Sequence, residues 1–187
     1  MLELLMELDS NILLWIQEVL RNPICDPIFI FITSLGNMGA LWILISCILL
    51  IFKKTRRIGM MSLLALLGSL IVNNLIIKNL VARTRPYELI TGLQLLIARA
   101  TDFSFPSGHT GSSFASAVIL YKELPKKYGI LALILATLIA FSRLYIGIHY
   151  PSDVICGALS GILIALFVRK AYGAFEKSKY GQSKEHL

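Results

Sequence analysis

Residues 129–153, GILALILATLIAFSRLYIGIHYPSD, decide how this chain is read: an apolar run stops at Ser142-Arg143 and gives way to His149, Pro151 and Asp153. Gly129 to Ile146 carries one charge, Arg143, at its far end, so it has the length and character of a membrane-spanning helix. Ionisable groups are expensive in lipid and usually functional there. The cluster that ends this run is therefore a candidate site, and the rest of the chain can be searched for partners to it.

The surroundings fit a membrane protein. Of 187 residues, 56% are hydrophobic and only 16% charged, against about 25% charged in an ordinary soluble domain. Mean hydropathy is +0.73. Pro27 to Ile51 is an uncharged run, roughly 37 Å long as helix. Ile58 to Ile77 is a second, Ser112 to Tyr121 a short third that spans only if it begins near Pro106, and Val154 to Val168 a fifth after Gly129–Ile146. The third and fifth are rich in Gly, Ala and Ser, which suits close helix packing within a bundle. Residues 1–20 place Leu5, Leu8, Ile12, Trp15, Ile16 and Val19 at helical spacing, and their four acids argue for a helix lying flat at the interface. They lack the basic start of a signal peptide. The expected architecture is all-α: one domain over 1–187, with an interfacial helix at 1–22, a catalytic bundle of about five spans at 27–172 and a cytoplasmic tail at 173–187.

The net charge of +7 suggests nucleic acid at first sight, but its distribution is a topology signal. Lys53, Lys54, Arg56 and Arg57 follow the first span; Lys122, Lys126 and Lys127 follow the third; Arg169, Lys170, Lys177, Lys179 and Lys184 follow the fifth. The positive-inside rule makes that side cytoplasmic, with the C-terminus. No nucleic-acid partner is expected; the bilayer is. Cys25, Cys47 and Cys156 form no CxxC pair and read as small packing residues. His186 lies in the polar tail and reads as inert.

With spans alternating, three polar clusters fall on the opposite, extracytoplasmic face: Lys78 to Arg85-Pro86, Pro106-Ser107-Gly108-His109, and Arg143 to Asp153. Pro106 and Pro151 suit the first turn of a helix. Ser107 and Gly108 would then present backbone N–H groups at a positive helix end, and Lys78, Arg85 and Arg143 add cations, a set that suits phosphate. One histidine can attack phosphorus while the other protonates the leaving oxygen. Asp153 stands one helical turn from His149 and can orient it, which assigns His149 as nucleophile and His109 as acid. The cations and the helix end meet the transferring charge without a metal or other cofactor.

Lys78-x6-Arg85-Pro86, Pro106-Ser107-Gly108-His109 and Ser142-Arg143-x5-His149-x3-Asp153 resemble, without substitution and in order, the three-part signature of the type-2 phosphatidic acid phosphatase family. The resemblance implies metal-independent hydrolysis of a phosphate ester or pyrophosphate through a phosphohistidine. By position it implies His149 as nucleophile, Asp153 as its partner and His109 as acid, with Lys78, Arg85, Ser107, Gly108 and Arg143 holding phosphate. The same family includes soluble vanadate-dependent haloperoxidases, from which the apolar spans separate this chain. Its compactness resembles bacterial undecaprenyl-pyrophosphate phosphatases, so the expected substrate is that lipid pyrophosphate. Phosphatidylglycerophosphate or phosphatidate is the alternative, as are phosphate transfer to another lipid and a non-catalytic lipid-binding protein. Arg83 reads as a surface or headgroup contact and Asp102 as a polar loop or capping residue. The connection from Tyr87 to Ser104 fits an interfacial helix or a lid, and the oligomeric state is not legible in the sequence.

Overall fold

The computed structural model describes residues 2–185, with side chains from 3 to 178, so His186 lies outside the described residues. Among these residues the chain is helical and has no strand. Helix α1 runs Leu2–Leu20, α2 Cys25–Leu35, α3 Ala40–Ile51 and α4 Arg56–Ser69. The last continues through a π-helical stretch, Leu70–Ile77, into the short α5, Lys78–Val81. After the short α6, Pro86–Leu89, come α7, Gly108–Glu123, α8, Lys126–Tyr145, and α9, Pro151–Glu185.

Helix α7 is the axis of the bundle. Ala115, Ala117, Ile119 and Leu120 on it are buried, and α4, α8 and α9 pack around it. Small residues make this possible: a Cβ on Gly157 of α9 would stand 2.7 Å from the Ser107 carbonyl oxygen, so glycine is what lets α9 reach the start of α7. Polar bonds tie α3 and α4 to this axis. Trp42 Nε1 donates to Ser113 Oγ at 2.9 Å, and Ser46, Ser62 and Ser116 form a chain of hydroxyls at 2.7 Å each. In lipid such interhelical bonds contribute about 0.6 kcal/mol each on average.

Three helical stretches, within Arg56–Leu89, Lys126–Tyr145 and Pro151–Ser178, are long and apolar enough to cross a membrane, and α2 with α3 makes a fourth if that bent pair is one span. Helix α7, with 16 residues, is shorter than a typical crossing. Of the five expected spans, three or four have the length and apolarity of a crossing, and the short central α7 is the one that falls below it. The uninterrupted helix expected over Pro27–Ile51 is broken instead, with a 46° bend. Met38 (φ 52°) and Gly39 (φ 67°) adopt left-handed backbone there.

Helix α1 forms over the expected residues, and only part of its apolar stripe packs on the protein. Asp9, Leu13 and Ile16 are buried, whereas Leu5, Leu8, Trp15 and Val19 are exposed on the protein surface. It packs on α8 and α9. The connection 90–107 is neither a helix nor a free flap: Leu93 is buried against Leu13 and Tyr150, and Leu95, Leu96 and Ile97 pack against Tyr145 and Ile146. Arg21 fastens it, donating to the carbonyls of Tyr145 at 2.7 Å and Gln94 at 2.6 Å.

At the opposite end of the bundle, Arg57 pairs with Glu176 at 3.2 Å and Arg169 with Glu123 at 2.6 Å. These contacts bring the start of α4, the end of α7 and the distal part of α9 together, so the basic connections share one end of the molecule. All three cysteines are free.

Candidate active site

The folding of α4, α7, α8 and α9 gathers the three sequence clusters at one cavity of about 630 Å³. Lys78, Arg85, Gly108, His109, Arg143 and His149 all line it. Lys78 reaches it from the end of the long α4–α5 segment, Arg85 from the turn before α6, Gly108 and His109 from the first turn of α7, Arg143 from the last turn of α8, and His149 from the loop before α9. Ser107 and Asp153 are fully buried behind this lining.

Ser107 occupies the N-cap of α7. Its hydroxyl oxygen accepts from the Thr110 hydroxyl at 3.0 Å and, more weakly, from the Thr110 amide at 3.4 Å. Its own amide donates to the Asp153 carbonyl at 3.1 Å, which fixes the start of α7 against the start of α9. A Cβ on Gly108 would approach Asn74 Oδ1 to 2.6 Å, so any larger residue there requires the Asn74 side chain to move.

His149 and Asp153 are both buried. The expected direct bond between them is long, with His149 Nδ1 at 3.5 Å from Asp153 Oδ2. A residue that sequence reasoning missed fills the gap. Ser104 donates to Asp153 Oδ2 at 2.5 Å and lies 3.4 Å from His149 Nδ1. The Tyr150 amide donates to the same carboxylate oxygen at 2.9 Å. Nothing but its position three residues before Ser107 marked Ser104 in the sequence.

His109 Nε2 lies 2.9 Å from Asn37 Oδ1. Asn37, itself exposed, sits in the break between α2 and α3, and the break is what brings its side chain to His109. The signal was there to be read, an Asn between Gly36 and Gly39.

The cations are held differently from one another. Arg143 is buried and donates to Thr33 Oγ1 at 2.6 Å, while its Nε, also buried, has no hydrogen-bond partner in the protein. A buried guanidinium in that state calls for an anion. Lys78 and Arg85 instead share Asp102: Nζ of Lys78 meets Oδ2 at 2.5 Å, and a terminal nitrogen of Arg85 meets Oδ1 at 2.6 Å. Arg85 also donates to the carbonyls of Asp102 at 2.8 Å and Ile148 at 2.9 Å. Asp102 is thus a loop residue, as expected, that also bridges two of the expected phosphate ligands. Partial burial alone would raise its pKa, but the Lys78 ammonium and the Arg85 guanidinium outweigh this and hold it down at about 2.

Arg83 is also reassigned. It lies over the Tyr150 ring, 3.8 Å from the centroid, and donates to Asp153 Oδ1 at 2.7 Å and Asp9 Oδ2 at 2.8 Å. It faces inward, not toward a surface or headgroup.

Residues 59–177 match the model of the PAP2 superfamily. The undecaprenyl-diphosphatase of Sulfolobus acidocaldarius is 36% identical over 140 residues, which is 75% of this chain and 67% of that protein. Two crystal structures superpose on the fold, each at 28% identity. Aquifex aeolicus LpxE does so with a TM-score of 0.76 over 89% of this chain and 95% of that one. The transmembrane PAP2-type phosphatidylglycerolphosphate phosphatase of Bacillus subtilis has a TM-score of 0.73 over 92% and 86%. With its histidines and cations gathered at one cavity in a helical membrane bundle, this chain belongs to the PAP2 superfamily and is a multi-pass membrane phosphatase of the class that acts on lipid phosphates.

Proposed function

We propose that the chain converts undecaprenyl pyrophosphate to undecaprenyl phosphate at the extracytoplasmic face, through a phosphohistidine on His149. The observation that carries this is the cavity: Lys78, Arg85, Arg143 and both histidines meet at one part of it, while Ile43, Leu63, Leu67 and Leu70 line another. A charged head and a long apolar tail suit those two parts.

In this reading Lys78, Arg85 and Arg143, with Ser107 and Gly108 at the start of α7, hold the terminal phosphate and meet its developing charge. Nδ1 of His149 faces Asp153 and Ser104, which leaves Nε2 to attack phosphorus. The bond to the bridging oxygen breaks, and His109 gives that oxygen its proton. Water then attacks the phosphohistidine, His109 takes up the water's proton, and inorganic phosphate leaves. Asp153 stabilises the imidazolium that forms on His149. Asn37 holds the His109 ring for both transfers. The polyprenyl substrate is favoured by the Sulfolobus relative; the Bacillus structure supports phosphatidylglycerophosphate as the second reading.

Purified protein in detergent with EDTA, offered undecaprenyl pyrophosphate, phosphatidylglycerophosphate and phosphatidate, tests both. The highest kcat/KM is expected on the first. No phosphate release from any of the three would end the hydrolase reading. His149→Ala is expected to lose turnover at least 1,000-fold while remaining folded, the order seen when a nucleophile is removed; substantial residual activity would displace His149 from that role.

A further inference from the structure

Helix α1 carries no motif residue, yet it places a buried carboxylate, Asp9, next to the nucleophile's support. Asp9 Oδ1 accepts the Ser152 amide at 3.0 Å and its Oδ2 accepts the Ser152 hydroxyl at 2.5 Å, so it caps the first turn of α9 from outside. The same Oδ2 takes Arg83 at 2.8 Å. Arg83 reaches past it to Asp153 Oδ1 at 2.7 Å and to the Ser152 hydroxyl at 2.7 Å. The Arg83 carbonyl, in turn, accepts the amide of Ser104 at 2.8 Å. Arg83 therefore braces both oxygens of Asp153: one through its guanidinium, the other through the residue whose hydroxyl binds Oδ2.

We infer that Asp9 and Arg83 are positioning residues for catalysis, and that α1 sets the strength of the carboxylate behind His149. The reasoning is one of charge. Asp153 helps only if its negative charge is available to an imidazolium forming on His149. A guanidinium bonded to Asp153 alone would neutralise that charge. Asp9 takes one of the guanidinium's three hydrogen bonds and supplies a second negative charge, so the group of Asp9, Arg83 and Asp153 has a net charge of −1. That charge is what the imidazolium meets. Removing Asp9 turns the full field of Arg83 onto Asp153; removing Arg83 leaves two buried carboxylates without their shared cation.

This rests on His149 being the nucleophile, and the test separates the two. In the full chain in detergent, with undecaprenyl pyrophosphate and phosphatidylglycerophosphate as substrates, Asp9→Asn preserves shape and an acceptor for Ser152 but removes the charge. It is expected to lower kcat about tenfold, the order found for residues that orient a reacting group through another, with KM within twofold. Arg83→Gln, which removes the guanidinium brace on Asp153 Oδ1, is expected to lower kcat by the same order. Because Asp9 acts through Arg83, adding Asp9→Asn to Arg83→Gln should cause no further loss. An unchanged kcat in folded Asp9→Asn overturns the inference, as does a rise in KM at constant kcat, which would make Arg83 a substrate ligand. Multiplying losses in the double variant overturn it too. If Asp9→Asn does not accumulate as folded protein, Arg83→Lys decides: one ammonium cannot serve both carboxylates, so kcat should fall at constant KM, and wild-type kcat refutes the relay. Inactive His149→Ala beside fully active Asp9→Asn would sink this inference alone, whereas active His149→Ala would remove the nucleophile reading beneath it.

Discussion

Asp102 shows how one side chain can change its meaning between sequence and structure. In the sequence it is a lone acid in a polar loop; in the fold it spans Lys78 and Arg85, two cations 7 positions apart brought together by the turn at Ala82–Arg85. Its carboxyl stays ionised down to about pH 2, compared with 3.8 for an ordinary aspartate. A carboxylate whose pKa is lower in the folded than in the unfolded state adds stability that is fully present above the ordinary value. That stability is lost as pH falls through the folded one. Thermal melts of the wild-type protein should therefore weaken between pH 3.8 and about 2 more than melts of Asp102→Asn do. Equal acid sensitivity of the two would show that the bridge adds nothing. The motif residues themselves were legible because their types and spacing are dictated by chemistry. Ser104 and Asp9 were not, because each acts by touching a residue distant in sequence, and no local pattern encodes that.

At the level of elements, periodicity and hydropathy located nearly every helix, since a lipid-facing segment must be apolar along its length and satisfy its own backbone. They failed at the α2–α3 break, where the residues on either side are as apolar as any span. Two glycines and an asparagine were the only sign, and glycine in a membrane helix is common. The break can be weighed by itself. Gly39 has φ 67°, and a Cβ there would meet nothing closer than 3.9 Å, so a methyl group costs backbone strain and no collision. Gly39→Ala should destabilise the protein by about 1 kcal/mol, read as a drop in melting temperature. Because His109 depends on Asn37 in this break, turnover should fall alongside it. An unchanged melting temperature would mean that the bend relaxes freely. Helix α1 was found correctly, but which of its residues meet the bundle was not: Leu5, Leu8, Trp15 and Val19 are exposed, while Ile16 and the acid Asp9 are buried. In a bilayer the usual rule that apolar means interior loses its force, so the inward face had to be learned from contacts.

For the molecule as a whole, the helices place the basic connections at one end and the cavity lined by Lys78, Arg85, Arg143 and the two histidines at the other. We propose, on the positive-inside rule, an orientation with the cavity outside and Lys53–Arg57 in the cytoplasm. The check uses a variant with Cys25, Cys47 and Cys156 replaced and a single cysteine at Lys54. An impermeant thiol reagent should leave it unlabelled in intact cells and label it after lysis; labelling before lysis would reverse the orientation. The interhelical hydroxyl chain of Ser46, Ser62 and Ser116 belongs to this scale as well. It lies between the two ends and fastens the outer helices to the central one.

The apolar part of the cavity has a consequence for kinetics. Ile43, Leu67 and Leu70 line it and are also exposed on the outer surface of the helices, where lipid would touch them. A substrate arriving along that wall never leaves the bilayer, so its encounter with the enzyme is a search in two dimensions. The quantity that saturates such an enzyme is the fraction of surrounding lipid that is substrate, not its concentration in the surrounding water. Every neighbouring phospholipid is then a weak competitor for the same doorway.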